Sequence, residues 1–244
     1  MYESFLTLSD ASLSAFDLNG WGGQMLKGLL ASMEIAVGSY SLGLIIGMFG
    51  ATGKLYGGEV AHDLWEVYTT LVRAVPELVL ILLLYYAGTD AVNQVLVLLG
   101  YARIDISGLF AGILVLGVVQ GAYSTEVLRG AIKSIPAGQI EAARAYGMPS
   151  FMIFRRITLP AMLPYALPGL GNLWMVATKD TSLLAVVGFT ELTLATRQAA
   201  GATKAYMSYY LAAGALYFAV FLISNAVLRL LERRSRRGMV RAAR

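Results

Sequence analysis

Five long apolar segments make up most of this chain and limit what it can fold into. They run over residues 25–49, 64–87, 108–128, 161–187 and 207–231. Each has about 20 residues or more, which is enough for a helix to cross the hydrocarbon core of a bilayer. Because lipid offers the backbone no hydrogen-bond partners, each segment is expected to be helical. The sequence therefore predicts an all-α integral membrane protein with about five transmembrane helices.

The composition supports an integral membrane protein and excludes several kinds of functional site. Hydrophobic residues make up 57% of the chain and charged residues only 14%, whereas soluble domains usually carry about 25% charged residues. The absence of cysteine excludes disulfides and thiolate metal sites, and the single histidine, His62, excludes a histidine cluster. No pattern of nucleophile, base and metal ligands is present. We therefore expect a non-catalytic chain that binds no cofactor itself.

The basic residues predict the orientation of the helices. With the N-terminus outside, six lysines or arginines between the spans and seven arginines near the C-terminus lie inside, against three outside. The positive-inside rule therefore favours an outer N-terminus and an inner C-terminus. This divides the chain into a periplasmic segment over 1–24, a transmembrane domain over 25–231 and a basic cytoplasmic tail over 232–244. We expect the tail to meet anionic membrane lipid rather than nucleic acid.

The loop between the third and fourth spans carries the most specific pattern in the chain. It covers about residues 130–160 on the predicted inner side, which is long for a connection without structure of its own. Residues 141–145 are strong helix formers, and Gly147 is a typical helix end. Pro149 and Ser150 then begin a second short helix. We expect two short cytoplasmic helices separated by a turn.

Within this loop, Glu-Ala-Ala is followed by three residues and a glycine, and after nine more residues by Ile-x-Leu-Pro. This spacing resembles the EAA loop of ATP-binding-cassette importer permeases, whose fold is the type I importer transmembrane domain. The resemblance implies that the first helix inserts into a groove of a separate ATPase, where its short alanines would allow close approach. The ATPase-coupling residues that it implies are Glu141, Ala142, Ala143, Arg144, Gly147, Ile157 and Pro160.

Further stretches resemble the polar amino-acid branch of the same family. They are residues 68–78 in the second predicted span, 122–130 in the third, and 166–172 with 179–183 in the fourth. They are similar to the permeases for histidine, lysine, arginine, ornithine and the opines octopine and nopaline. The resemblance therefore implies a permease for polar, basic amino acids or opines in the bacterial inner membrane.

The same resemblance implies an assembly rather than a single working chain. Its other members would be a dimer of ATPase subunits, a second and different permease chain, and a periplasmic solute-binding protein. ATP and magnesium would belong to the ATPase. In this chain the stretch nearest to a phosphate-binding loop, residues 48–55, lacks the first glycine and the final serine or threonine. We interpret that stretch as a cytoplasmic turn.

Polar residues within the spans are candidates for a substrate pathway, because charges there are costly and usually functional. A carboxylate at Glu77 could meet a cationic side chain, or it could pair with Arg73 one turn earlier. Both interpretations stay open from the sequence. Glu126 and Arg129, three residues apart, are expected to form a structural ion pair. The candidate pathway residues are Arg73, Glu77, Tyr123, Asn172, Lys179 and Asp180.

A carrier or channel driven by an ion gradient is the alternative function for a chain of this composition. Such carriers are often built from inverted repeats. The sequence shows no such repeat, and five spans are an awkward number for one. The importer permease is therefore the leading interpretation.

Overall fold

The computed structural model describes residues 20–103 and 107–236, and every regular element within these ranges is helical. The α-helices are α1 Trp21–Tyr56, α2 Gly58–Ala74, α3 Glu77–Leu98, α4 Gly108–Lys133, α5 Ala137–Ala145, α6 Ser150–Ile153, α7 Leu159–Asp180, α8 Leu192–Thr203 and α9 Tyr206–Ser235. A π-helical stretch, Phe154–Thr158, joins α6 to α7, and a 3₁₀ stretch, Thr181–Val187, follows α7. The predicted all-α fold is confirmed. Most of the predicted segment 1–24 and of the tail 232–244 lies outside the described residues.

Four of the described helices, α1, α3, α4 and α9, are long and apolar enough to cross a membrane. Helices α1, α4 and α9 contain the predicted spans 25–49, 108–128 and 207–231. Helix α7 covers the predicted span 161–187 as far as Asp180, and the 3₁₀ stretch forms the remainder. A total of five spans, and the direction in which they cross, stay predictions.

The boundaries predicted for the second span, 64–87, are wrong. The backbone is extended at Val75, with φ −94° and ψ 137°, directly before Pro76. Proline disfavours helical backbone at the residue before it and removes one backbone donor. The region therefore forms two helices, and the apolar one, α3, continues to Leu98.

Small residues bring the backbones of α1 and α4 close together. A Cβ atom added at Gly43 would lie 2.7 Å from the Cβ of Gln120, and one at Gly47 would lie 2.5 Å from the Cβ of Ser124. Neither position can therefore accept a larger side chain without movement of the helices. This close packing makes α1 and α4 a firm central pair, as small residues do in many membrane proteins.

An apolar cluster joins α1, α4 and α7 at the end of α1 that is remote from Trp21. Its buried members include Ala51 of α1, Leu128 and Ile132 of α4, and Met162 of α7. The cluster holds the end of α4 beside the beginning of α7. The loop that contains α5 and α6 is thus anchored at both ends in one packed core.

Helix α8 is not predicted by the sequence pattern, and a buried carboxylate accounts for its start. Glu191 accepts hydrogen bonds from the backbone N–H groups of Thr193 at 2.8 Å and Leu194 at 2.9 Å. It also accepts from the hydroxyls of Ser32 at 3.3 Å and Tyr217 at 3.2 Å. Side-chain capping of this kind stabilises a helix N-terminus. These bonds fix α8 against α1 and α9.

Candidate coupling segment and substrate site

The coupling segment, residues 137–160, begins with α5, which ends where the sequence predicts. Gly147 has a left-handed backbone with φ +69°. Its N–H donates to the carbonyl of Arg144 at 2.9 Å, and the N–H of Met148 donates to the carbonyl of Ala143 at 3.1 Å. These two bonds form a Schellman motif, the usual glycine-dependent helix end. The segment therefore has the two short helices and the turn that were expected.

Helix α5 exposes most of its surface. Glu141, Ala142 and Arg144 are exposed, and Tyr146 at the tip is 88% exposed. Ala143 is different, because it is only 3% exposed and packs against its own chain. It is buried within its own chain, and its place among the ATPase-coupling residues stays a prediction. The remaining surface combines opposite charges, short side chains and an aromatic tip.

A groove of about 350 Å³ lies between the coupling segment and the end of α1. Tyr56 of α1, Arg144 of α5 and Phe151 of α6 are among its lining residues. Phe151 is 75% exposed, whereas Ile157 is only partly exposed. Pro160 is exposed in the first turn of α7. Ile157 and Pro160 thus belong to the base of the segment, and α5 with its tip projects from that base.

Five of the six candidate pathway residues converge where several helices meet. Glu77 is the first residue of α3, Tyr123 lies in α4, and Asp180 is the last residue of α7. The Glu77 carboxylate interacts with the Tyr123 hydroxyl and with the Asp180 carboxyl. Arg73 lies close enough to act electrostatically on Tyr123, and Lys179 acts in the same way on Asp180. Asn172, the sixth candidate, is exposed about two turns earlier on α7.

This substrate cluster, defined by Arg73, Glu77, Tyr123, Lys179 and Asp180, has an acidic centre and a cationic edge. Glu77 and Asp180 are half-buried, whereas Arg73 and Lys179 are exposed. The N-terminal end of α3 favours negative charge at Glu77 through the helix dipole. Two adjacent carboxylates can hold an ammonium or guanidinium group by charge-assisted hydrogen bonds. The cluster therefore has the chemistry to bind the side chain of a basic amino acid.

A buried ion network at the end of α1 is not evident from the sequence pattern. The Lys54 side chain is 1% exposed, and its Nζ lies 2.7 Å from a carboxylate oxygen of Glu66 and 2.6 Å from one of Glu126. It also donates to the Thr69 hydroxyl at 2.6 Å. Arg129 donates to Glu126 at 2.6 Å, which confirms the predicted pair. Lys54 thus joins α1, α2 and α4, and is not part of an exposed turn.

The network also determines the ionisation of Glu66 on α2. The hydrogen bond from Lys54, and then its charge, hold the pKa of the Glu66 carboxyl below its usual value. The Glu66 side chain is 54% exposed, so water still screens part of this interaction. Glu66 therefore stays ionised throughout the neutral pH range.

Known proteins resemble this chain along most of its length. Residues 43–237 match the family model described as the binding-protein-dependent transport system inner membrane component. The histidine/lysine/arginine/ornithine transport system permease protein of Escherichia coli strain K12 is 43% identical over 225 residues, which are 92% of this chain and 99% of that protein. The octopine transport system permease protein of Rhizobium radiobacter is 39% identical over 232 residues, which are 95% of this chain and 98% of that protein.

Solved structures share the arrangement of helices. A crystal structure of an amino acid ABC transporter with histidines matches with a TM-score of 0.74 and 28% identity, covering 88% of this chain and 95% of that chain. The MetNI methionine ABC transporter in an inward-facing form matches with a TM-score of 0.65 over 85% of this chain and 95% of that chain. Its identity of 18% shows a shared fold alone. With a family model that covers most of its residues and relatives that match it almost end to end, this chain belongs to the family of binding-protein-dependent transport system inner membrane components.

Proposed function

We propose that this chain is the permease subunit of an ATP-binding-cassette importer that moves polar, basic amino acids or opines across the bacterial inner membrane. Separate ATPase subunits would hydrolyse ATP and dock on the coupling segment. The observation that carries the proposal is the exposed, glycine-capped α5, projecting from a packed core in a member of this family. The chain itself would perform no catalysis and hold neither ATP nor magnesium.

The packing of the coupling segment supports a mechanical role. Ile132 and Ile135 at the end of α4 are buried, as are Ala143 of α5 and Ile153 of α6. Because these residues pack into the chain, a force on α5 would move the inner ends of α4 and α7 together. Rigid-body movement of packed helices is a common way to open one side of a cavity and close the other. Such a movement would alternate access to the substrate cluster.

The substrate cluster supports a basic substrate. Glu77 and Asp180 place two carboxylates together, and the Tyr123 hydroxyl adds a hydrogen-bonding group beside them. The names of two similar permeases refer to histidine, lysine, arginine and ornithine, and to octopine. A cationic side chain between the two carboxylates would satisfy both observations.

The assembly would contain a dimer of ATPase subunits, a second and different permease chain, and a periplasmic solute-binding protein. The N-terminus would lie outside and the basic tail inside, next to anionic lipid. A carrier driven by an ion gradient fits less well, because the family that this chain belongs to is defined by dependence on a binding protein. Its members are described as inner membrane components, which supports that location.

The test is uptake of labelled arginine, lysine or ornithine into proteoliposomes that contain the reconstituted importer, with and without ATP on the ATPase side. We expect uptake only with both ATP and the binding protein. Tyr146→Ala, at the tip of α5, should uncouple hydrolysis from uptake. Tyr101→Ala, which removes another exposed tyrosine outside the coupling segment, serves as the control. Uptake driven by an ion gradient without ATP would contradict the proposal.

A further inference from the structure

Helix α2 has two exposed faces of opposite character. One of them is an apolar stripe whose members are spaced by four, three and four residues and are each 57% to 75% exposed: Val60, Leu64, Val67 and Leu71. At about 100° per residue, this spacing puts all of them on one narrow face of the helix. The other exposed face, called the polar face below, consists of Glu59, His62, Asp63, Glu66, Thr70 and Arg73.

The two faces need different surroundings. The apolar stripe begins with Val60 in the first turn, so apolar surroundings suit α2 over most of its length. Charged side chains are costly in hydrocarbon, and the polar face carries charges at both of its ends, Glu59 and Arg73. The polar face therefore needs water at the same depth at which the apolar stripe avoids it. A helix beside a water-filled space within the membrane meets both requirements.

Two further features lie at the two ends of the polar face. A cavity of about 520 Å³ opens at the start of α2, where Glu59, His62 and Asp63 line it. At the other end of the helix, Arg73 acts on Tyr123 in the substrate cluster. Between Glu59 and Arg73 the polar face extends about 20 Å along the helix axis. It therefore extends from the cavity to the cluster.

The charge of this face near the cavity is negative. Lys54 contributes to the cavity wall, yet its ammonium group is buried in the ion network with Glu66 and Glu126. The exposed carboxylates of Glu59 and Asp63 remain, and the Nδ1 atom of His62 lies 3.2 Å from the Asp63 carboxylate. The local potential therefore favours cations over anions.

We propose that the polar face of α2 is one wall of the water-filled passage by which the substrate leaves toward the ATPase side, and that Glu59 and Asp63 make this passage favour cations. The proposal rests on the proposed function, since it continues the route of a basic substrate beyond the substrate cluster. Glu59 and Asp63, which it adds to the route, lie outside residues 68–78, the nearest of the stretches that resemble the polar amino-acid branch.

Because the sequence contains no cysteine, a thiol introduced on either face is the only one in this chain, and the reactivities of the two faces can be compared directly. Asp63→Cys and Leu64→Cys place a thiol at nearly the same depth on the polar face and on the apolar stripe, about 100° apart around the helix. Thr70→Cys and Leu71→Cys do the same about two turns further along α2. All four side chains are exposed, so folding is expected to survive each change. The measurement is the rate at which a charged, membrane-impermeant methanethiosulfonate reagent modifies each thiol in the reconstituted importer. Cationic and anionic reagents are compared, both supplied on the ATPase side.

We expect the thiols at positions 63 and 70 to react at least tenfold faster than those at 64 and 71. The ratio of cationic to anionic reactivity at position 70 should fall about two- to ninefold, depending on how strongly salt screens the charges, when Glu59→Gln and Asp63→Asn are added. The two charges removed lie about 10 and 16 Å away along the helix axis and act with opposite sign on the two reagents. Equal rates within each pair would overturn the water-filled wall. A ratio that does not respond to the added substitutions would overturn the preference for cations.

Uptake by the unsubstituted importer separates this proposal from the proposed function. If that importer takes up no basic amino acid while the paired thiols still differ in rate, the proposed substrate is wrong and the water-lined face stands. If uptake is normal and the paired rates are equal, the proposed function stands and the role of α2 is wrong.

Discussion

Replacing Gly147 with alanine should weaken binding of the ATPase without unfolding the chain. The backbone of Gly147 is left-handed at φ +69°, and an added Cβ would meet no atom within 4 Å. The substitution therefore adds backbone strain and no steric clash. Left-handed backbone costs a non-glycine residue about 1–2 kcal/mol. A free-energy difference of 1.4 kcal/mol changes an equilibrium constant about tenfold. The population with a left-handed backbone at residue 147, relative to other backbone conformations there, should therefore fall about five- to thirtyfold.

Gly138, in the first turn of α5, provides the matched control. An added Cβ there also meets no atom within 4 Å, and its backbone is helical. Gly138→Ala therefore adds the same methyl group without strain and should be neutral or slightly stabilising. Gly147→Asn should recover part of the lost binding, because asparagine adopts the left-handed conformation more readily than alanine.

The assay is the affinity of each purified variant for the isolated ATPase, with the thermal unfolding midpoint as the control for folding. We expect Kd to rise for Gly147→Ala, to rise less for Gly147→Asn, and to stay unchanged for Gly138→Ala. If Gly147→Ala bound as well as the unsubstituted chain, or if Gly138→Ala lost as much affinity, the docking role of this helix end would be refuted.

Three other substitutions test the substrate cluster, the ion network and the packing of α8. Glu77→Gln should slow uptake of lysine and arginine about tenfold or more, because a hydrogen bond to a charged group is lost; equal rates before and after would contradict the role of the cluster. Lys54→Met should lower the free energy of unfolding by about 2–4 kcal/mol in denaturant titrations, since Glu126 loses its buried partner; a loss under about 0.5 kcal/mol would count against the network. The pKa of Glu66 is lowered in the folded chain. The ionised Glu66 carboxylate therefore contributes fully to the free energy of unfolding above the usual glutamate pKa of about 4.3, and this contribution is lost as the pH falls through the lowered pKa. The difference in free energy of unfolding between Lys54→Met and the unsubstituted chain should therefore be constant near neutral pH and become smaller only in acid. A difference that became smaller between about pH 6 and 8 would contradict this role of Glu66. Gly28→Val should lower the free energy of unfolding by about 1–3 kcal/mol, since even a Cβ would lie 3.0 Å from the backbone of Glu191. An unchanged thermal unfolding midpoint would rule out that close contact.

The parts of the fold that depend on local signals could be predicted from the sequence. Long apolar runs identify α1, α4 and α9, and an alanine-rich run that ends at Gly147 identifies α5. The break at Val75 is also a local effect, because the following proline disfavours helical backbone there. It is hidden by apolar residues on both sides of the proline, which make the two helices look like one span.

The remaining parts depend on contacts between distant residues. Helix α8 is too polar to be recognised as a span, and its placement against α1 depends on a bond from the Ser32 hydroxyl to Glu191 across 159 residues of sequence. An acidic residue before a helix is a weak signal that could have suggested this cap. The rarity of charges in apolar segments indicates most members of the substrate cluster. That Glu77 and Asp180 meet depends on how three helices pack, which no local pattern contains.

A photocrosslink from the coupling segment tests directly whether α5 contacts the ATPase. In this naturally cysteine-free chain, Ala142→Cys places a single thiol on the exposed face of α5, and Ala202→Cys places one on the exposed part of α8. Each thiol is labelled with benzophenone maleimide in the assembled importer and irradiated. We predict a crosslink from position 142 to the ATPase and none from position 202. A crosslink to the ATPase from position 202 and none from 142 would show that α5 is not the docking helix.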